Sequence, residues 1–253
     1  MLSLNELISA LDLPVSSCVD QRVPKKLLLE NGAPTAADKR IINEGIEELL
    51  WLAALKPTTI GVPEYRDDVR EYLEIAILTA TLRAGAKPTR LIELIHRAIP
   101  YPLMLVTAHA DTVNLSLAHK RWSQGETGRV VIEDVHCTAP FRPDAPAAIE
   151  ALFLASLKLS SLPARDLFTI YQGWLDRVDA LEAAKITGRF AAPDSANLAS
   201  ALHDSLDARA RLQRELAGLR TKAEKEKQLN RRVELNLEIK RLEVKVAATE
   251  KTL

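Results

Sequence analysis

The stretch Leu73–Leu82, LEIAILTATL, carries apolar side chains on both phases of a two-residue period: Leu73, Ile75 and Ile77 at odd positions, Leu78 and Leu82 at even ones. A strand covered on both faces has that pattern, whereas a strand with one wet face alternates. A turn containing Gly85 follows, then Pro88 and Thr89, after which Leu91, Ile92, Leu94, Ile95 and Ala98 recur at helical spacing with Glu93, His96 and Arg97 between them. The spacing predicts a short amphipathic helix over Thr89–Ala98. Pro100 and Pro102 end it, because proline has no N–H for the next helical bond, and Leu103–Thr107 is a second aliphatic strand. Val113, Leu115 and Leu117 alternate with Asn114, Ser116 and Ala118, which predicts a third strand with one buried face and His119 in phase with it. After a loop at Trp122–Gly128, Arg129–His136 is expected as a fourth strand. A helix between the first two strands implies a crossover, and the short later links imply antiparallel pairing. The fold class expected is α+β, a mixed sheet of four or more strands with covering helices.

Upstream, Leu2, Leu4, Leu7, Ile8 and Leu11 form a helical pattern closed by Asp12 and Pro14. Val15–Leu29 is expected as a solvated loop entering a strand, with Arg22, Lys25 and Lys26 clustered around Pro24; an anion contact is the functional alternative. Thr35, with Asp38 three residues on, predicts the cap of a helix over Ala36–Leu55, whose stripe is Ile42, Ile46, Leu49, Leu50 and Ala53. Lys56-Pro57 stops that helix, and Thr58–Arg70 is expected as an extended linker. The α+β unit is thus expected over residues 1–139.

Pro140, Pro143 and Pro146 mark a change of composition, and no strand pattern returns beyond them. Helices are expected at Ala147–Leu159, Ala164–Lys185 and Asn197–Leu219, giving a helical region over 140–196 and an arm over 197–253. In the arm, Leu212, Leu216, Leu219 and Ala223, then Leu235, Ile239, Leu242 and Val246, are spaced as a coiled-coil seam. Between them Glu224–Arg232, EKEKQLNRR, places polar residues at the core positions. Two arms folding back around a polar tip account for that gap; one continuous helix with a shifted register is the alternative.

Lys plus Arg and Asp plus Glu each number 34, which argues against a polyanion binder over the whole surface and leaves local patches. The tip is the clearest patch: Arg220, Lys222, Lys225, Lys227, Arg231 and Arg232 stand against Glu224 and Glu226. A solvated face and a nucleic-acid or acidic-partner contact are its two readings. Cys18 and Cys137 form neither a disulfide framework nor a metal-ligand cluster, and suit reduced thiols. No cofactor and no metal are expected. The chain has no apolar run long enough to span a membrane and no basic, apolar leader at its start, so a cytoplasmic location is expected.

Phosphate-cradling glycine loops, zinc-protease motifs and paired cysteines at redox spacing are absent from the sequence. A metal-dependent nuclease would want a lysine two residues after a carboxylate, but Glu74 is followed there by Ala76 and Glu133 by Val135. What remains is a polar set at the strand ends: His96, Arg97 and Tyr101, and His119, Lys120 and Arg121. The bland reading is a hydrogen-bonded His119 beside solvated cations; the sharp one is acid-base and anion-binding work by His96, His119 and Lys120.

Five stretches, Arg22–Pro57, Ile95–Val106 (IHRAIPYPLMLV), Val113–Arg121 (VNLSLAHKR), Leu167–Phe190 (LFTIYQGWLDRVDALEAAKITGRF) and Glu226–Glu243 (EKQLNRRVELNLEIKRLE), together resemble an uncharacterised prokaryotic family, the domain of unknown function four-three-nine-one. The resemblance runs from about Leu13 to Leu242. It implies no catalytic residue; it implies a genomic neighbourhood of helicases and DNA methyltransferases, of the restriction or phage-defence kind. Two functions of different class are therefore expected. The first is a non-enzymatic accessory or scaffold subunit of a nucleic-acid-processing assembly, docking a helicase, a methyltransferase or a second copy through its arm. In this reading Lys120, Arg121, Arg220, Lys222, Lys225, Lys227, Arg231 and Arg232 contact DNA or RNA backbone. The second is a phosphodiester-cleaving enzyme with its site near His96, His119 and Lys120.

Overall fold

The computed structural model describes residues 2–125, 130–251 and 253, and divides into two compact units, Met1–Val178 and Asp179–Leu253. In chain order the first unit runs α1 (Leu2–Ala10), β1 (Cys18–Arg22), α2 (Lys25–Asn31), α3 (Ala36–Gly45), β2 (Ile46–Leu55), a single turn α4 (Pro57–Ile60), β3 (Tyr65–Arg66), β4 (Glu71–Tyr72), β5 (Ile75–Leu82), α5 (Pro88–Ala98), β6 (Leu103–His109), β7 (Thr112–Trp122), β8 (Val130–Cys137), α6 (Ala148–Ser156) and the start of α7 (Leu167–Thr187). The expected loop Trp122–Gly128 and the first residue of the expected fourth strand, Arg129, lie partly outside the described residues.

Six strands form one mixed sheet in the order β1-β2-β5-β6-β7-β8, and β3 pairs with β4 apart from it. β5 and β6 run parallel, Ala76 to Leu82 against Leu103 to His109, and their neighbours pair antiparallel. The parallel pair is buried on both faces, as the apolar residues on both phases of Ile75–Leu82 require. On one face Ala76, Leu78, Ala80, Leu82, Leu103 and Leu105 pack with Leu91, Ile92, Leu94, Ile95 and Ala98 of α5, together with Leu28 of α2 and Ile42 of α3. α2 can lie this close to α5 because Gly32 has no Cβ; one added there would meet Ala98 Cβ and Leu94 O at 2.6 Å. The opposite face carries α7, whose Tyr171 hydroxyl accepts from Ala118 N and donates to Leu103 O, each at 2.8 Å.

Three expectations are corrected. The helix expected over Ala36–Leu55 ends at Gly45, and Ile46–Leu55 is strand β2, paired along its length with β5 from Ile46 opposite Leu82 to Leu55 opposite Ile75. The cap forms as expected, with Asp38 N donating to Thr35 Oγ1 at 3.1 Å. The run Leu49–Leu55 is apolar at nearly every position and fits either period; the open edge of β5 decides in favour of strand. Likewise Val15–Leu29 is not a loop but holds β1 and α2, and Thr58–Arg70 holds the end of α4 and β3 rather than an extended linker. Cys18 and Cys137 sit on the first and last strands of the sheet order, too far apart in the sheet to form a disulfide with one another.

The second unit contains the remainder of α7, α8 (Ala196–Lys225) and α9 (Leu229–Glu250). α8 and α9 pack antiparallel, as the ion pairs Arg209–Glu250 (2.9 Å) and Arg220–Glu243 (2.7 Å) require. Between them lie Leu216, Leu219, Ala223, Ile239 and Leu242, flanked by Leu212 and Leu235. The chain reverses at residues 226–228, inside the polar gap of the seam, so the folded-back form and not the continuous helix is found. Among the described residues no helix is long and apolar enough to cross a membrane.

Candidate functional site

Strand β7 sorts the predicted site residues by simple alternation. Asn114, Ser116 and Lys120 face the α5 layer, while Leu117 and His119 face the α7 layer. The structure therefore brings His96 and Lys120 together and sets His119 on the other side of the sheet.

Under α5, Lys120 is 3% exposed. Its nitrogen donates to His96 O at 3.0 Å and to Ile99 O, two carbonyls at the C-terminal end of α5. Helix ends leave such carbonyls without intrahelical donors, and a donor at that end also meets the negative pole of the helix. Burial pushes the Lys120 amine down to about 7. His96 is fully buried, with Nε2 3.0 Å from Ser116 Oγ, and Ser116 in turn donates to Leu105 O at 3.4 Å. Ser116 thus accepts from His96, so the proton sits on Nε2 and Nδ1 keeps a lone pair with no partner among the described residues. Burial, and then the nearby Lys120 charge, hold His96 down to about 3, so it is neutral at physiological pH.

On the opposite face His119 is closed into a chain of bonds. Gln172 Nε2 donates to Asp176 Oδ1 at 2.7 Å, which leaves Gln172 Oε1 to accept from His119 Nε2 at 2.8 Å; His119 Nδ1 then accepts from the Tyr72 hydroxyl. Phe168 stacks on His119 with centroids 5.3 Å apart, and Tyr171 lies 5.4 Å away. Burial raises Tyr72 and Tyr171 above the ordinary phenol range, so both remain donors. Arg121, beside Lys120, is half-exposed and shares Glu133 with Arg70, at 3.8 Å and 3.3 Å. Of the strand-end pair expected at a phosphate, only Arg121 reaches the surface.

Three clefts adjoin at the corner between α5 and β6. One of 540 Å³ is lined by Asn31, Arg97, Pro100, Lys120 and the β8 residues Val130–Ile132; one of 280 Å³ by Arg70, Tyr101, Lys120 and Trp122; and one of 300 Å³ by Trp51, Leu78, Ile99 and Tyr101. Trp51, Asn31 and Trp122 were not legible as site residues, since Trp51 and Trp122 come near Pro100 only through pairing across the sheet and Asn31 only through the packing of α2 against α5.

At the turn between α8 and α9, two of the six tip cations are paired, Arg220 with Glu243 and Arg231 with Glu226 at 3.7 Å. Lys222, Lys225, Lys227 and Arg232 are exposed, and none has a carboxylate partner among the described residues. α9 also has an apolar row turned away from α8: Leu229, Val233, Leu237 and Val244, exposed by 65, 50, 54 and 70%.

A mixed sheet with a buried polar row under one helical layer, and an antiparallel helix pair with a basic turn, define an α+β protein. The chain belongs to the family described as Domain of unknown function (DUF4391), whose model matches residues 11–246. No curated protein and no solved structure matches it.

The buried His96 makes a pH prediction. Its folded value, about 3, lies below the ordinary 6.5, so the unfolded chain binds more protons between the two and stability is lost as pH falls through that window. In urea titrations from pH 6.5 to 4, the His96→Leu variant is expected to lose stability more slowly than the parent, by about 1.4 kcal/mol per pH unit at most.

Proposed function

We propose that this chain is a non-enzymatic accessory subunit of a prokaryotic nucleic-acid-processing assembly of the restriction or phage-defence kind. It docks an amphipathic helix of a protein partner, a helicase or methyltransferase, along α9 and meets nucleic-acid backbone with the turn between α8 and α9. The observation that carries this reading is the outer row of α9. Leu229, Val233, Leu237 and Val244, spaced four, four and seven apart, fall within about 80° of one another around a helix of 3.6 residues per turn. Leu235, Ile239 and Leu242 fall on the other side and pack against α8. A helix apolar on two sides has one side left to cover, and a row of large aliphatics at that spacing is the form in which a partner helix is received. The antiparallel pairing of α8 with α9 supports reading this region as a coiled-coil arm. The four unpaired cations support a backbone contact, because they are free to release counterions from a polyanion.

Each half of this reading has its own test. Full-length protein purified from its native cells is expected to carry the helicase or methyltransferase with it. The double variant Val233→Glu, Leu237→Glu should lose that partner while its stability changes by less than about 1 kcal/mol, since both residues are half-exposed on the side of α9 away from α8; retention of the partner would refute the α9 site. For the turn, a mobility-shift series over salt is expected to give a log-log slope that flattens by about three to four units when Lys222, Lys225, Lys227 and Arg232 are changed to Glu, at about 0.9 per phosphate on duplex DNA. An unchanged slope would show that these cations touch no phosphate.

A further inference from the structure

Docking along α9 leaves the corner at Ile99–Tyr101 without a task. The clefts of 540 Å³ and 280 Å³ meet there, and Pro100, Lys120 and Val130 line both. Lys120 is 3% exposed. Among the described residues no carboxylate pairs with it, and its nitrogen donates to His96 O and Ile99 O. As an ammonium, Lys120 would carry a third N–H for which the described residues offer no acceptor. As a neutral amine it spends both protons on the two carbonyls and keeps one lone pair. Desolvation favours the amine, with the group held down to about 7, and the apolar wall of Val130, Val131 and Ile132 strengthens that preference. A buried lysine without a counter-charge, set against a cleft, is the arrangement in which lysine acts as a nucleophile.

We propose that Lys120 is a nucleophilic amine that condenses with a small aldehyde or ketone held at the Ile99–Tyr101 corner, the carbonyl compound carrying an anionic group received by Arg97 in the larger cleft, through the guanidinium N–H groups other than the one that donates to Glu93 at 2.6 Å. The lone pair attacks the carbonyl carbon. Both nitrogen protons leave with the carbonyl oxygen as water, and the new carbon-nitrogen bond becomes double. One proton taken up from solvent makes it an iminium, whose single N–H still serves one of the two α5 carbonyls while the other is left to water in the cleft. No oxidant or reductant is involved. The charged and titratable groups around Lys120 are His96, Arg97 and the Glu93 paired with it on α5, Arg121 beside it on β7, Arg70 and Glu71 bordering the smaller cleft, and Glu133 on β8. This inference does not rest on the docking role of α9. A lysine that merely caps α5 would make the same two hydrogen bonds, so reactivity and not stability separates the two roles.

The experiment treats the full-length folded protein with glyoxylate and cyanoborohydride from pH 6 to pH 9 and maps the modified lysines by peptide mass spectrometry. At pH 7, Lys120 is expected to be modified about ten-fold faster or more than the exposed Lys87, with a rate that levels off above about pH 8. Arg97→Ala should lower modification of Lys120 by glyoxylate several-fold and leave that by uncharged propionaldehyde unchanged. Modification confined to exposed lysines at pH 7, or a Lys120 rate that keeps rising up to pH 9, would overturn the nucleophile. An equal fall with both aldehydes in Arg97→Ala would overturn the anionic group.

Discussion

The parallel pairing of β5 with β6 is the constraint on which the first unit depends. Two adjacent parallel strands cannot be joined by a tight turn, so the chain must leave the sheet and return across one face, and α5 is that return. Because both strands are apolar on both sides, a single covering layer is insufficient. α2, α3 and α5 close one face, and the α7 side closes the other. Each fully buried Leu or Ile contributes roughly 1.5–3 kcal/mol, so exposing either face of β5 would cost several such terms at once.

The crossover also creates the unusual chemistry. α5 stops at Ala98, and its last carbonyls end beside the polar row of β7. Lys120 supplies the missing donor, yet it does so from inside the protein, where a charge is costly and the neutral amine is preferred. His96, one turn back, takes Ser116 as its partner and is kept neutral by the same burial. His119, one residue before Lys120, belongs to another environment, held by Tyr72, Gln172 and a stacked Phe168. Three residues that cluster in the sequence motifs IHRAIPYP and SLAHKR are thus divided between two faces of one sheet.

Much of this was legible in the sequence where a single period dominates. β5 to β8, α5 and the seam between α8 and α9 follow from unbroken apolar runs, alternation or helical spacing, and the Thr35 cap from side-chain chemistry. The division of β7 into two faces was also legible, since alternation alone separates His119 from Lys120. β2 was not, because Leu49–Leu55 satisfies a helical and a strand period equally and its choice is made by β5, some 25 residues away in the sequence. The burial of Lys120 was not legible either, because its acceptors lie 24 and 21 residues upstream and meet it only through the register of β6 with β7. The outer row of α9 was present in plain view as Leu229, Val233, Leu237 and Val244, but the stronger inner seam drew the helix's apolar residues into one pattern where there are two.

Two apolar sides on one helix, one satisfied by α8 and one left exposed, are what make α9 the functional element of this account, with the four unpaired cations around the turn that leads into it adding the sign of charge that nucleic acid selects. Hydrogen exchange followed by mass spectrometry, on the full-length protein alone and within the assembly purified from its native cells, tests this most directly. Free α9 should exchange quickly on its outer side, because few tertiary contacts oppose its local opening. The account predicts marked slowing across Leu229–Val244 in the assembly, with β5 and β6 unchanged. Exchange in α9 that is identical in both states, with slowing confined to the Ile99–Tyr101 corner, would contradict it.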